Sequence, residues 1–270
     1  MQTALTIAGS DPVGGAGVQA DLKTFAARGI YGVSAITAIT VQNTSGIERI
    51  VPLDGDLVTA QIEAVAGDVT LHATKIGMLA TAAIVEAVTA AIDELDLPLV
   101  VVDPVLVSTS GTRLLDEDGV QALVTELLAR ARVVTPNVTE AEVLSGQRIA
   151  SLDDAKNAAR RIRELGPRAV LITGGHADGY GSADDVIDVL LDDDVIHELR
   201  ARRVVTGPTH GTGCTLASAI AAGLALGRPL ADAAADAQRY VAGALAHRIA
   251  VGRGRAPLDH FWETPRILES

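Results

Sequence analysis

The sequence predicts an α/β fold organised around a mostly parallel β-sheet, and two observations lead to this prediction. Short β-branched, apolar runs alternate with longer amphipathic or alanine-rich stretches, a pattern typical of successive βαβ units. Later, two β-rich runs separated by the acidic residues 192–194 depart from the alternation and predict an antiparallel hairpin at the sheet edge. With 270 residues and 48% hydrophobic content the chain can bury a large core, and we expect one domain spanning residues 1–270.

The predicted elements follow in order along the chain. Strands are expected where Val, Ile, Ala and Thr cluster ahead of turn residues, at 3–9, 32–40, 73–77, 99–103, 133–135 and 169–174. Helices are expected in the stretches after these strands, at 17–28, 56–65, 82–95, 117–131, 138–145 and 153–165. The hairpin should comprise residues 186–191 and 195–203. Two helices at 212–226 and 230–249, separated by a Gly-Arg-Pro stop signal, should complete the fold, and the residues after Gly252 should be irregular.

Composition argues against several classes of protein. A net charge of −12 and an aromatic content of 2% predict no nucleic-acid partner, since cationic patches and stacking rings are scarce. No run approaches the roughly 18 apolar residues of a membrane-spanning helix, so we expect no membrane partner. The residues after Met1 lack a signal-peptide pattern, and the single cysteine cannot form an internal disulfide. We therefore expect a cytoplasmic protein.

The only cysteine lies in the run PTHGTGCTL at 208–216, on a glycine-rich turn that opens an apolar helix. A helix N-terminus carries unpaired N–H groups and roughly half a positive charge, so it attracts anions and lowers the pKa of a thiol placed there. We expect a phosphate group and a polarised Cys214 to meet at this turn. The alternative is that Cys214 is a small buried apolar residue and the glycines only shape the turn.

Polar residues and glycines concentrate where the predicted strands end. Ligands of open parallel sheets bind outside the carboxyl ends of the strands. Asp103 ends one strand, and Asn137 and Glu140 follow the next strand along the chain. We expect these three residues to lie near the turn that carries Cys214.

A dinucleotide-binding site is the rival interpretation of the N-terminal glycines. The string GAGVQA at 15–20 fits the glycine pattern of such sites, but Ser10 to Val13 intervene after the strand and the second strand ends in TVQN instead of an acidic residue. The sequence also lacks the phosphate-binding loop of P-loop enzymes and the catalytic motifs of protein kinases. Any phosphoryl transfer must therefore use other residues.

Several segments occur in an order and spacing that resemble a known family. They are LTIAGSDPVGGAGVQADLKTF at 5–25, VQNTSG at 41–46, TKIGML at 74–79, DPV at 103–105, TPNVTEAEVLSG at 135–146, GGH at 174–176 and THGTGCTLASAIAAGLA at 209–225. The chain thus resembles the hydroxymethylpyrimidine and phosphomethylpyrimidine kinases of thiamine biosynthesis, which are close to pyridoxal kinases. The resemblance implies a three-layer α/β/α ribokinase-like fold. It also implies ATP-dependent phosphorylation of 4-amino-5-hydroxymethyl-2-methylpyrimidine, and then of its monophosphate to the diphosphate.

The same resemblance implies roles at the phosphoryl-transfer site. Gly211, Thr212 and Gly213 would form an anion hole, and Cys214 would take the proton of the substrate hydroxymethyl group. Nucleotide binding would involve Asn137, Glu140, Asp103, Thr173, Thr209 and His210. Mg²⁺ would be held by Glu140 with Asp103, partly through water, and a monovalent cation such as K⁺ is left open. Taken alone, Glu140 would be an ordinary acid in the first turn of a helix.

For the substrate ring, Gln42 offers an amide donor and acceptor that suit an aminopyrimidine. Gly9, Ala16, Met78 and Val105 would form small walls around the ring, with Asp21 facing the same side one turn into the first helix. Met78 could instead be a core residue, Asp21 a solvated residue and His176 a satisfied loop histidine. The expected partners are ATP and a small pyrimidine or pyridine alcohol.

Two departures from the family pattern leave the second phosphorylation open. Many family members carry lysine in the loop after DPV and again before GGH, where this chain has Thr109 and Thr173. Either Arg113 or Lys75 compensates, or the phosphate pocket is weaker. The alternatives are a pyridoxal or pyridoxine kinase, an enzyme for both rings, or an inactive binding protein. The edge hairpin and exposed alanine-rich helices would favour a homodimer.

Overall fold

A mixed β-sheet organises the chain. The computed structural model describes residues 1–108, 111–175, 180, 184–207 and 209–264. Within these residues the main sheet has nine strands: β1 Thr3–Ser10, β2 Tyr31–Asn43, β3 Gly46–Pro52, β4 Ala73–Ile76, β5 Val100–Val102, β6 Val133–Val134, β7 Ala169–Ile172, β8 Asp185–Asp192 and β9 Val195–Arg202. Their order is β3-β2-β1-β4-β5-β6-β7-β8-β9. The six strands from β2 to β7 are parallel, whereas β3, β8 and β9 run antiparallel to their neighbours.

Helices connect the parallel strands and complete the C-terminal part. They are α1 Gly17–Ala27, α2 Gly55–Ala66, α3 Ala82–Glu94, α4 Glu117–Ala122, α5 Val138–Ser145, α6 Leu152–Arg163, α7 Thr212–Ala225 and α8 Leu230–Ala246. A π-helical turn, Leu123–Leu127, and a 3₁₀ turn, Leu128–Arg130, continue α4. Two short parallel strands, β10 Thr209–His210 and β11 Ala256–Pro257, form a second sheet. None of the described helices is both long and apolar enough to cross a membrane.

Alternation along the central strands separates two hydrophobic cores. In β5, Val100 and Val102 point to a core shared with α2 to α6, whereas Val101 points to a core shared with α1, α7 and α8. Because successive strand residues face opposite sides, each buried strand contributes to both cores. The result is the three-layer α/β/α arrangement that the sequence predicted, with the β8–β9 hairpin at one edge.

Three parts of the sequence prediction were wrong. The second strand is followed by β3, which the sequence analysis missed, and not directly by a helix. Along β3 most side chains are exposed or half-buried, so the strand lacks the apolar pattern of a core strand and depends on backbone pairing with β2. The tail after Gly252 is not wholly irregular, because Ala256–Pro257 pairs with β10. Finally, the alanine-rich α7 is not exposed: its residues from Thr215 to Ala225 are buried.

Candidate active site

The start of α7 contacts the loop that follows β1. Gly211 has φ +87°, and a Cβ there would lie 1.7 Å from the backbone oxygen of Gly15. Only glycine permits both this conformation and this approach. No side chain of the described residues caps the first turn of α7, so its N–H groups face the site and suit an anion. The turn from Gly211 to Gly213, predicted as an anion hole, therefore lies at an uncapped helix start.

Asp103 lies directly across from this turn. A Cβ added to Gly213 would be 3.6 Å from both carboxylate oxygens of Asp103, and the Cys214 thiol is hydrogen-bonded to the same carboxylate. Burial raises the pKa of Cys214 to about 12; the charge of Lys75 opposes this rise, and the charges of Asp103 and Asp21 add to it. The expected lowering of this pKa by the helix start was wrong, because desolvation and the two carboxylates outweigh it. Cys214 is therefore a neutral thiol near neutral pH.

A buried ion pair lies beneath Asp103 and Cys214. The Lys75 ammonium donates to Asp21 at 2.9 Å, and Asp21 also accepts hydrogen bonds from Thr6 at 2.6 Å and Ser218 at 2.7 Å. Both charged side chains are completely buried. Burial opposes the charged form of Lys75, but Asp21, Cys214 and Asp103 outweigh it and raise the pKa of this lysine. Asp21 is thus neither a solvated residue nor a wall of the substrate pocket; it holds Lys75 behind the site.

Glu140 and Asp103 form a pair of buried carboxyl groups. Glu140 and Asn137 form a capping box at the start of α5: each side chain accepts the other's backbone N–H at 3.0 Å. Burial raises the pKa of Glu140 to about 8, and the charge of Asp103 adds to the rise. Burial likewise raises the pKa of Asp103 to about 6, against the effect of Lys75. Two buried carboxyl groups of raised pKa are oxygen donors that a hard cation would stabilise in their charged forms.

The site offers few side chains that could bind a metal ion, and this small number limits which ion fits. The described residues contain no group of three or more His, Cys, Asp or Glu side chains placed to hold an ion. Mg²⁺ keeps several waters and needs only one or two carboxylates, so Asp103 and Glu140 fit this ion. Thr173, predicted for the nucleotide, pairs with Asn137 across a β-bridge and so lies at the same edge. Thr109 and His176, which the sequence analysis also considered, lie outside the described residues.

Gln42, predicted to bind the substrate ring, belongs to a polar chain of contacts on the other side of the turn. Gln42 Nε2 lies 3.0 Å from His210 Nε2, which in turn lies 3.3 Å from Asp11 Oδ2. The Asp11 carboxylate also accepts the N–H groups of Val13, Gly15 and Ala16. Burial opposes ionisation of Asp11, but the His210 contact and these N–H groups outweigh it and lower its pKa. His210, predicted for the nucleotide side, therefore contacts the predicted substrate glutamine.

The predicted ring walls come together around the end of β1. A Cβ added to Gly9 would lie 3.2 Å from the sulfur of Met78. Met78 belongs to a small cluster against which Val105 packs, so it is both a core residue and a neighbour of Gly9. Ala16 is held beside them by its hydrogen bond to Asp11. These contacts bring Gly9, Met78 and Val105 to one side of the site, and Ala16 lies in the loop between β1 and α1.

Comparison with known proteins decides the family. The family model described as phosphomethylpyrimidine kinase matches residues 11–259. The chain belongs to the phosphomethylpyrimidine kinase family. A hydroxymethylpyrimidine/phosphomethylpyrimidine kinase of Rhizobium meliloti is 47% identical over 262 residues, which cover 96% of each chain.

Solved structures related to this phosphomethylpyrimidine kinase family member confirm its ribokinase-like fold. The phosphomethylpyrimidine kinase of Clostridium difficile is 39% identical with a TM-score of 0.79, covering 89% of this chain and 98% of its own. The ADP complex of Bacillus subtilis pyridoxal kinase is 36% identical with a TM-score of 0.87, covering 96% of this chain and 97% of its own. The family resemblance seen in the sequence is therefore confirmed.

The sequence did not lead us to place Asp11 and Arg255 in the site. Asp11 shapes the loop through three N–H groups, and an Asp ahead of a Pro-Val-Gly-Gly run was the available signal, since Asp side chains commonly bind backbone in turns. Arg255 directly precedes the short strand β11 and lines the same cleft as Gln42, and no local pattern in the sequence indicated this strand.

Proposed function

We propose that the protein phosphorylates 4-amino-5-hydroxymethyl-2-methylpyrimidine with ATP and then phosphorylates the monophosphate to the diphosphate. One observation carries this proposal: the anion-binding turn at Gly211 lies between a carboxyl pair suited to Mg-ATP and a polar wall that ends in Gln42. The amide of Gln42 matches the donor and acceptor edge of an aminopyrimidine. Family membership and the ADP complex of the similar pyridoxal kinase support ATP as the phosphoryl donor.

In the first reaction the hydroxymethyl oxygen attacks the terminal phosphorus of ATP. A new P–O bond forms, the bond from that phosphorus to the bridging oxygen breaks, and ADP leaves with the electron pair. The hydroxyl proton passes to the sulfur of Cys214 while the thiol proton passes to Asp103. This relay fits the pKa values, since at neutral pH the carboxylate at about 6 is ionised and the thiol at about 12 is not.

Charge on the transferred phosphoryl group would be stabilised from two sides. The N–H groups of Gly211, Thr212 and Gly213 would point at one side of it, and Thr209 lies just before them in the chain. Glu140 would hold Mg²⁺, with Asp103 contacting the ion only through water so that its carboxylate stays free to take the proton, and the charge of the ion would offset that of the ATP phosphates. Asn137 fixes Glu140 through the capping box, and Thr173 lies next to Asn137.

A pyridoxal kinase is the second candidate. The observation in its favour is the likeness to the Bacillus subtilis pyridoxal kinase, together with a polar wall that could also accept a pyridine nitrogen and phenolic oxygen. The identity of 47% to a hydroxymethylpyrimidine/phosphomethylpyrimidine kinase over nearly the whole chain favours the pyrimidine.

Steady-state kinetics with the two pyrimidines and pyridoxal in parallel test the choice. We expect the highest kcat/KM with the pyrimidine alcohol, measurable turnover of its monophosphate, and activity that disappears when Mg²⁺ is chelated. Turnover of pyridoxal alone, or binding of the pyrimidines without consumption of ATP, would contradict the proposal.

We further propose a homodimer of single-domain chains, each comprising residues 1–270. Support for the dimer comes from the β2–β3 hairpin, where Ile39 and Val51 pair across the strands and are each 43% exposed, with Val41 beside them at 37%. Contiguous apolar side chains on a protein surface are typical of protein–protein interfaces. We place the protein in the cytoplasm, a compartment that keeps thiols such as Cys214 reduced.

A further inference from the structure

The two cations that the sequence offered as replacements for the missing lysines are engaged elsewhere. Lys75 is completely buried and paired with Asp21. Arg113 pairs with Glu117 at 2.8 Å on the surface. Neither is placed to bind the phosphate of a monophosphate acceptor. If the second phosphorylation takes place, another residue must recognise the charge that distinguishes the monophosphate from the alcohol.

A cleft beside Gln42 contains one cation. It is open to solvent and is lined by Gln42, Asn43, Ser108, His210 and Arg255 together with the turn between β2 and β3. None of the described residues that line it is acidic. Its side chains are therefore hydrogen-bonding groups and one guanidinium, a combination that favours an anion.

Arg255 is held in this cleft by its backbone and not by its side chain. Its N–H donates to the Thr44 oxygen at 2.8 Å, and the N–H of Gly254 donates to the Thr44 hydroxyl at 3.0 Å. A Cβ at Gly254 would lie 2.1 Å from the Thr44 oxygen, so glycine is required for this close approach. Pairing of β11 with β10 fixes the residues that follow.

The Arg255 side chain is half-buried and makes no hydrogen bond or ion pair with any residue that the structure describes. A guanidinium carries five N–H donors in a planar fork that matches a phosphate. Positioned by its backbone and without a partner among the described residues, Arg255 is ready to bind an anionic ligand.

The position of the cleft shows which phosphate it would take. The carboxyl pair suited to Mg-ATP, Asp103 and Glu140, is not among the residues that line it. The cleft instead contains Gln42, the proposed ring-binding residue, and His210, which directly precedes the anion-binding turn at Gly211. A ligand in it would therefore lie on the acceptor side of the phosphoryl-transfer site.

We propose that Arg255 is a specificity-determining residue that binds the phosphate of the monophosphate acceptor and so directs the second phosphorylation. This inference rests on the proposed function. In the second reaction an oxygen of the acceptor phosphate attacks the terminal phosphorus of ATP, a P–O–P bond forms, and ADP leaves. The attacking oxygen is already ionised, so no base is needed. Arg255 offsets the repulsion between the two phosphate groups.

The test compares both acceptors in Arg255→Gln, with Arg253→Gln as the matched control. Arg253 lies in the same segment, is exposed and does not line the cleft. For Arg255→Gln we expect the KM for the monophosphate to rise about 10- to 100-fold, the loss typical of a charge-assisted contact. The KM values for the alcohol and for ATP should change less than about twofold, as should all values for Arg253→Gln. Calorimetry with the monophosphate in the absence of ATP should show the same loss of affinity, and Arg255→Lys should restore part of it.

Other outcomes overturn the inference in distinguishable ways. Equal losses with both acceptors, or a rise in the KM for ATP, would assign Arg255 to folding or to the nucleotide and leave the proposed function intact. An unchanged KM for the monophosphate would remove Arg255 from recognition. A wild-type protein that phosphorylates neither pyrimidine would overturn the proposed function, and the role of Arg255 with it.

Discussion

At the scale of single residues, the charges around Cys214 determine what this thiol can do. Burial and the charges of Asp103 and Asp21 keep the thiol neutral against the opposing charge of Lys75, while the Asp103 carboxylate remains available as proton acceptor. A helix N-terminus alone would have suggested a thiolate. The residue types at the site were predictable from sequence, but their protonation states were not, because these depend on which charges meet after folding.

The raised pKa of Cys214 gives a direct pH prediction. A thiol reacts as its thiolate, so with a pKa of about 12 the alkylation rate should keep increasing up to that pH. At pH 8.5 we expect iodoacetamide to modify the native protein about 100-fold more slowly than the urea-unfolded protein, whose thiol has an ordinary pKa. Cys214 is the only cysteine, so mass spectrometry reports on this site alone. A native rate that levels off below pH 8 would contradict the raised pKa.

Removal of the buried Lys75 charge should be costly. Lys75→Met leaves Asp21 without its cation in the interior, and breaking one partner of a buried pair typically costs about 3 to 5 kcal/mol. The exposed pair of Arg113 and Glu117 provides the control, since Arg113→Met should cost less than about 1 kcal/mol. Urea unfolding at pH 7 measures both. Equal destabilisation by the two substitutions would show that the buried pair has no special role.

At the scale of elements, the site depends on how closely α7 begins against the loop after β1. Core elements were predictable because strands such as β5 and helices such as α7 carry clear apolar patterns and turn signals. Neither the edge strand β3 nor the short strand β11 was predictable. Both depend on backbone pairing with distant segments, and their residues carry no periodic apolar pattern. Arg255 was missed for the same reason.

Gly211 should therefore be intolerant of a side chain. Gly211→Ala adds a Cβ that would lie 1.7 Å from the Gly15 oxygen, in addition to strain at φ +87°. Gly29 is the matched control, since it has φ +75° but no atom within 4 Å of an added Cβ. Gly29→Ala should cost about 1 to 2 kcal/mol from backbone strain alone. Gly211→Ala should destabilise more and lower kcat at least about 100-fold through loss of anion-hole geometry. If both variants behaved alike in thermal unfolding and kinetics, the close contact would not matter.

At the scale of the whole molecule, the sheet brings the proposed catalytic groups to the carboxyl ends of its strands and leaves the β2–β3 hairpin apolar on its outer face. Layer order and strand direction followed from the alternation in the sequence. The location of the exposed apolar surface could not be predicted from the sequence, because it depends on the pairing of β3 with β2 and on the burial of α7.

The hairpin surface should support the dimer. Ile39→Glu and Val51→Glu each place a charge among exposed apolar groups and should convert a dimer to monomers in light scattering at micromolar concentration. Val205→Glu is the control, because Val205 is 89% exposed and lies outside the hairpin. A protein that is monomeric from the outset, or dimers that persist in both hairpin variants, would contradict the proposed interface.

The central claim is that one site phosphorylates a pyrimidine alcohol twice. The most direct measurement is a time course of the purified protein with Mg-ATP and the alcohol, with the products identified by mass spectrometry. We expect the monophosphate to appear first and the diphosphate to follow at its expense, each with one equivalent of ADP. Consumption of ATP without either product, or no reaction with the pyrimidine while pyridoxal is phosphorylated, would contradict it.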